Sequence, residues 1–177
     1  NIFAQYFMIS NLVLNPDVNC ISFHGSYDFA YLLKLLINKE LPEKEDEFMD
    51  MLDTYFINYY DIKHLIKDND NFEKGLNKLA EQLEVNRVGQ IHQAGSDSVV
   101  TIDVFFKLQK SGLVSDTKLN EIKNILYGIG KGQDNDETYI YSQIGGMNYQ
   151  NNNLMYINVP VNTNYLSMNY YNYSMML

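Results

Sequence analysis

From Thr138 to Leu177 the chain carries no charged residue, and all 13 basic and 22 acidic residues lie before that stretch. Asn, Tyr and Met dominate it, in runs such as Asn151-Asn152-Asn153 and Tyr170-Tyr171-Asn172-Tyr173. There is no periodicity that would give a helix or a strand a buried face, and the composition is prion-like. The expectation is therefore a folded region over residues 1–132 and a low-complexity, disordered tail over residues 133–177. A chain of 177 residues suits one domain with a substantial core.

The net charge of −9 and pI near 4.7 oppose nonspecific binding to a polyanion through bulk charge. They leave room for a local site in which divalent cations reverse the field. Twelve lysines stand against a single arginine, Arg87, a bias that genome base composition explains as well as function does. The one cysteine, Cys20, permits no internal disulfide and lies in an apolar run as a small core residue. No apolar run is long enough to span a membrane. The sequence opens at Asn1 inside a helix-like apolar stretch, which suggests a fragment.

Val18 to Phe23 is short, apolar and bounded by turn residues, as a strand buried on both faces should be. Ser26 suits the cap of a helix from Tyr27 to about Ile37. Pro42 and the acids Glu43, Glu45, Asp46 and Glu47 open a further helix. Ile57 to Asp61 reads as a second strand, Gly75 to Leu83 as a helix, and Lys118 to Leu126 as the last amphipathic helix. Gly89 and Gly95 bracket a loop carrying His92, after which Ser96 caps a helix running to about Lys110.

Two segments carry chemistry. In His92-Gln93-Ala94-Gly95-Ser96-Asp97 a histidine precedes an aspartate by five positions. On one ideal helix these would be rotated by about 140° from each other. A loop histidine followed by a helix-start aspartate avoids that conflict. In Ile21 to Phe29, Asp28 likewise falls two residues past the expected cap Ser26. Helix-start carboxylates stay ionised readily and offer hard oxygen donors, which suit Mg²⁺ or Mn²⁺. Two such ions activate a water and stabilise the leaving oxygen of a phosphodiester, and His92 can act as general base. The plainer reading is also available, because an aspartate in a first helical turn often serves the helix dipole alone. His64 reads as a structural helix residue, His24 as a neighbour of the site, and Asp61 as a strand-end acid with a structural role.

Residues 1–132 resemble the Caf/Pop family of poly(A) deadenylases, nuclease subunits of the carbon-catabolite-repressor–NOT complex. The resemblance rests on Ser22-Phe23-His24-Gly25-Ser26-Tyr27-Asp28-Phe29-Ala30-Tyr31-Leu32-Leu33-Lys34, Leu41-Pro42-x-x-Glu45 and Tyr60-Asp61-Ile62-Lys63. It continues through Gly75-Leu76, Ala80-Glu81-Gln82-Leu83, His92 to Thr101, and Leu126 to Gly130. It implies an α/β RNase H-like exonuclease fold of the DEDD class with the histidine variant of the last motif. It implies 3′-to-5′ shortening of mRNA poly(A) tails in nucleus and cytoplasm, with two Mg²⁺ or Mn²⁺ ions per complete site. The partners it implies are poly(A) RNA, a NOT scaffold protein and a second deadenylase subunit, with no membrane. Carried over by position, Asp28 is the third acidic ligand, Asp97 the fourth and His92 the general base, while Phe23 and His24 are candidates to touch substrate.

The first two ligands of the family come from an Asp-x-Glu motif, and none precedes Val18 here. The expectation is an N-terminally truncated, predominantly helical remnant with two short parallel strands, impaired or inactive in hydrolysis. Other readings are a non-catalytic scaffold-binding module, a DNA exonuclease of the same superfamily, or a fragment that does not fold alone. The last would leave the apolar faces of Val18 to Phe23 and Ile57 to Tyr60 exposed.

Overall fold

The computed structural model describes residues 1–130 and 174–176. The expected tail therefore falls outside the described residues except for its last short segment. Helix α1 (Ile2–Ile9) leads into strand β1 (Asn19–Ser22) and helix α2 (Ser26–Ile37). Helix α3 (Glu45–Tyr55) precedes strand β2 (Tyr59–Asp61), which passes directly into the short helix α4 (Ile62–Ile66). Helices α5 (Leu76–Gln82), α6 (Ala94–Lys110) and α7 (Asp116–Ile122) follow, and strand β3 is Ser174–Met176.

The two expected strands pair in parallel, with Cys20 opposite Tyr59 and Ser22 opposite Asp61. Strand β3 adds itself in parallel to the other edge of β1, Asn19 opposite Ser174, giving the order β2-β1-β3. A parallel sheet must be covered on both faces, and β1 shows how its apolar run achieves that. Successive side chains point to opposite sides of a strand. Cys20 accordingly joins the cluster built on Phe29, Leu33, Phe48, Leu52, Phe56 and Tyr59, from α2, α3 and β2. Its neighbour Ile21 joins the cluster built on Ile62, Leu79, Val100, Val104 and Leu108, from α4, α5 and α6. Phe29, Phe48 and Tyr59 are fully buried, each worth roughly 1.5–3 kcal/mol of transfer free energy. Val18, Cys20, Ile21 and Tyr59 are thus covered, while Asn19, Phe23, Ile57 and Tyr60 are part-exposed.

The outer edge of β2 is closed by one residue. Asn124, at φ 59°, exchanges main-chain and side-chain bonds with it. Its N–H donates to Tyr59 O at 3.0 Å, and its Oδ1 accepts from Tyr59 N at 3.2 Å. Its Nδ2 donates to Ile57 O at 3.0 Å. A short polar residue in the left-handed region so satisfies a sheet edge that would otherwise offer unpaired groups.

Two capping expectations fail for a shared reason. Helix α2 starts at Ser26 and is capped by Gly25, because the Ser26 hydroxyl donates to Tyr127 O at 2.6 Å. Helix α6 starts at Ala94, two residues before Ser96, and Gly95 lies in its first turn instead of bounding the loop. The Ser96 hydroxyl accepts from Arg87. In both cases the hydroxyl points to a partner outside its own helix.

Candidate functional site

The site is organised by the end of β2. Asp61 is fully buried, yet its carboxylate accepts four backbone N–H bonds. Oδ1 takes His24 N at 2.8 Å and Lys63 N at 3.0 Å. Oδ2 takes Gly25 N and Tyr127 N, both at 3.1 Å. Charge-assisted bonds of this kind compensate burial of the carboxylate. Asp61 therefore has the structural role expected of it, as the hub that joins the β1–α2 turn, the start of α4 and the segment around Tyr127. The turn is tight. His24 sits at φ 64°, and a Cβ added at Gly25 would stand 2.5 Å from Ser22 Cβ and Oγ, so only glycine fits.

That turn delivers Asp28 to the first turn of α2. Its carboxyl is raised above the ordinary carboxylate value, first by desolvation and then by the negative charge of Asp61. The charge of His24 and the backbone at the helix start act in the opposite direction. Because Asp28 is exposed, solvent screens much of this.

Asp97 lies in the first turn of α6, as expected. Arg87 holds it: Nη1 donates to Asp97 Oδ1 at 2.6 Å and to Ser96 Oγ at 2.9 Å, while Nη2 donates to Asn77 Oδ1 on α5. Only 16% of the Arg87 side chain is exposed, against 34% for Asp97. His92 lies in the exposed loop before α6, at φ 65°. Phe23 packs against the cluster around Ile62 and Val104. His24 is part-buried and meets Tyr127 edge-on, ring centroids 5.2 Å apart. His64 is buried within α4, a structural position.

The donor chemistry of Asp28 and Asp97, carboxylate oxygen at helix starts, fits a hard divalent cation. Among the described residues, however, no group of three or more His, Cys, Asp or Glu side chains gathers as a metal site. Asp28 and His92 are exposed and Asp97 is part-exposed, and the three do not form one such group. Sequence reasoning passed over Arg87 and Lys63. The available signal for Arg87 was its singularity in a lysine-rich chain, five residues before His92.

A parallel sheet with helices on both faces defines an α/β domain, here with carboxylates at two helix starts. A model of the CAF1 family ribonuclease matches residues 8–105, more than half of the sequence, and the chain belongs to that family. It is 48% identical over 128 residues to the probable CCR4-associated factor 1 homolog 7 of Arabidopsis thaliana, covering 72% of this chain and 46% of that protein. It is 41% identical over 131 residues to the poly(A) ribonuclease pop2 of Schizosaccharomyces pombe, covering 72% of this chain and 38% of that protein. The chain thus spans about half or less of the length of these relatives. Its fold matches S. pombe Pop2p in a Mg²⁺- and Mn²⁺-bound form, TM-score 0.65 and 39% identity, over 72% of this chain and 50% of that one. It also matches yeast CAF1 co-crystallized with the NOT1 MIF4G domain, TM-score 0.65 and 25% identity, over 71% of this chain and 52% of that one. Among the described residues no helix is long and apolar enough to cross a membrane.

Proposed function

We propose that this chain is part of a 3′-to-5′ exoribonuclease that shortens mRNA poly(A) tails, and that it supplies the later half of the hydrolytic site. The observation that carries the reading is the pair of helix-start carboxylates, Asp28 and Asp97, on a fold shared with Pop2p in its Mg²⁺- and Mn²⁺-bound form. Asp28 and Asp97 would hold divalent ions, which supply an activated water and charge stabilisation at the leaving oxygen. His92, in its exposed loop, is free to accept a proton from that water. Asp97 is oriented by Arg87. Residues 1–177 contain no Asp-x-Glu sequence, so this stretch offers two of four carboxylates and hydrolyses weakly without the others. The likeness to CAF1 co-crystallized with NOT1 supports a NOT-type scaffold as partner, within a complex that holds a second deadenylase subunit. Action on mRNA would place the protein in nucleus and cytoplasm.

The test is a 5′-labelled oligo(A) incubated with the chain and Mg²⁺ or Mn²⁺. Weak stepwise shortening from the 3′ end, abolished by Asp97→Asn and by His92→Asn, is the expected result. Equal shortening of the DNA oligomer would favour a DNA exonuclease, since selection for RNA depends on the 2′-hydroxyl. Strong processive shortening would overturn the view that half of the site is supplied here.

A further inference from the structure

Three of the four residues whose N–H groups Asp61 gathers also bring their side chains together. Lys63 Nζ lies 3.2 Å from His24 Nδ1 and 4.7 Å from the centre of the Tyr127 ring, and His24 meets that ring edge-on. An ammonium can only donate, so Nδ1 is the acceptor and the histidine is the tautomer protonated on Nε2. Lys63 is half-buried and belongs to α4, directly after the hub. Its cation is therefore fixed in position, with the ordering entropy of a long side chain already spent on folding.

Four cations among the described residues pair with carboxylates, and Lys63 is not one of them. Lys34 pairs with Glu40, Lys44 with Glu47, Lys118 with Glu121 and Arg87 with Asp97. Among the described residues no carboxylate lies within ion-pair distance of Lys63, although the chain carries 22 acids. One of its three N–H donors goes to His24, which leaves two for an anion. The cluster includes the turn that leads into α2, with His24 four residues before Asp28 in the first turn of that helix. A fixed cation at the turn leading to a carboxylate expected to face a phosphodiester is placed to take the negative charge that the acids would repel.

We infer that Lys63 is a substrate-binding residue whose ammonium, held by His24 and the Tyr127 ring, binds a phosphate of the single-stranded RNA entering at Asp28. His24 and Tyr127 are positioning residues. The cation–π contact and the Nδ1 acceptor hold the ammonium without cancelling its charge, as a carboxylate would. This rests on the exoribonuclease reading, and binding without catalysis separates the two.

The experiment is fluorescence anisotropy of a labelled oligo(A) with the chain in EDTA, over a range of salt concentrations, with circular dichroism of each variant as the folding control. Lys63→Gln is expected to weaken binding about 5–10-fold and to reduce the log–log salt slope by about 0.7, the loss of one phosphate contact on a single strand. Lys63→Arg should keep the wild-type slope, and Tyr127→Leu should weaken binding by freeing the ammonium. Lys118→Gln, which removes an exposed lysine of α7, should leave binding as it is. Wild-type binding with an unchanged slope in Lys63→Gln would overturn the phosphate anchor alone. Absence of oligo(A) binding by the wild type at low salt would overturn the nuclease reading together with it.

Discussion

Arg87 Nη1 donates to Asp97 Oδ1 at 2.6 Å, so the carboxylate expected to hold a metal ion is already in contact with a fixed cation. Arg87 is anchored independently of that contact, through Ser96 Oγ and Asn77 Oδ1. The guanidinium therefore has reason to stay when an ion arrives, and it leaves the second oxygen of Asp97 for the ion. Carboxylate ligands are commonly oriented by such an outer hydrogen bond. The same contact ties α5 to the start of α6. Arg87→Met is expected to destabilise the fold by about 1–2 kcal/mol, below a fully buried pair because Asp97 is part-exposed. A double-mutant cycle with Asp97→Asn, read by urea unfolding, should give a coupling of about 1 kcal/mol. Additive effects would show that the two side chains touch without supporting each other.

Asp61 offers a sharper case, because nothing about its carboxylate is spare. Four N–H donors from three separate segments converge on two oxygens. Asp61→Asn keeps the shape and replaces one acceptor oxygen with an NH₂ group that faces two N–H donors. At least two donors then lose their partner in a buried place. The cost should reach about 3 kcal/mol or more. Because the same bonds set His24, Gly25, Lys63 and Tyr127, oligo(A) binding should fall in the folded fraction as well. A thermal melt within a degree or two of wild type would show that the hub is dispensable.

Strands β1 and β2 and the helix-start aspartates were legible in the sequence because they depend on local pattern, whereas β3 lies in a stretch without periodicity. An apolar run that ends in a glycine turn before an acid can do little else than pass from strand to helix. What could not be read depends on partners far along the chain. Ser26 binds Tyr127, 101 residues away, and Asp61 binds His24 and Tyr127, 37 and 66 residues away. Local rules assign a serine before a helix to its cap, and those rules give way when a tertiary acceptor is better placed. Helix α4 was hidden differently, since it follows β2 without an intervening loop and the change of period falls within a single residue. Arg87 carries no motif that marks its role; its partners Asn77 and Asp97 are brought to it only by the packing of α5 against α6.

His64 should give this fold a pH dependence of known sign. It is buried in α4, and its imidazole is held below the ordinary histidine value, first by desolvation and then by the charge of Lys67. Asp61 and Asp68 oppose that shift without reversing it. The unfolded chain then binds a proton more readily than the folded one. Where the unfolded state holds more protons, stability rises with pH. The contribution of His64 is therefore complete above the unfolded value of 6.5 and is lost as pH falls below it, at no more than about 1.4 kcal/mol per pH unit for one proton. Asp28 contributes with the opposite sign, because its folded carboxyl titrates above the ordinary value of 3.8. Its share is present below that value and fades as pH rises through the raised one, nearer the carboxylate range. Urea midpoints measured from pH 7.5 to 5 should fall for the wild type. They should fall less for His64→Gln, which keeps a polar side chain in α4 and cannot take up the proton. Parallel curves for the two proteins would mean that His64 is protonated as easily folded as unfolded.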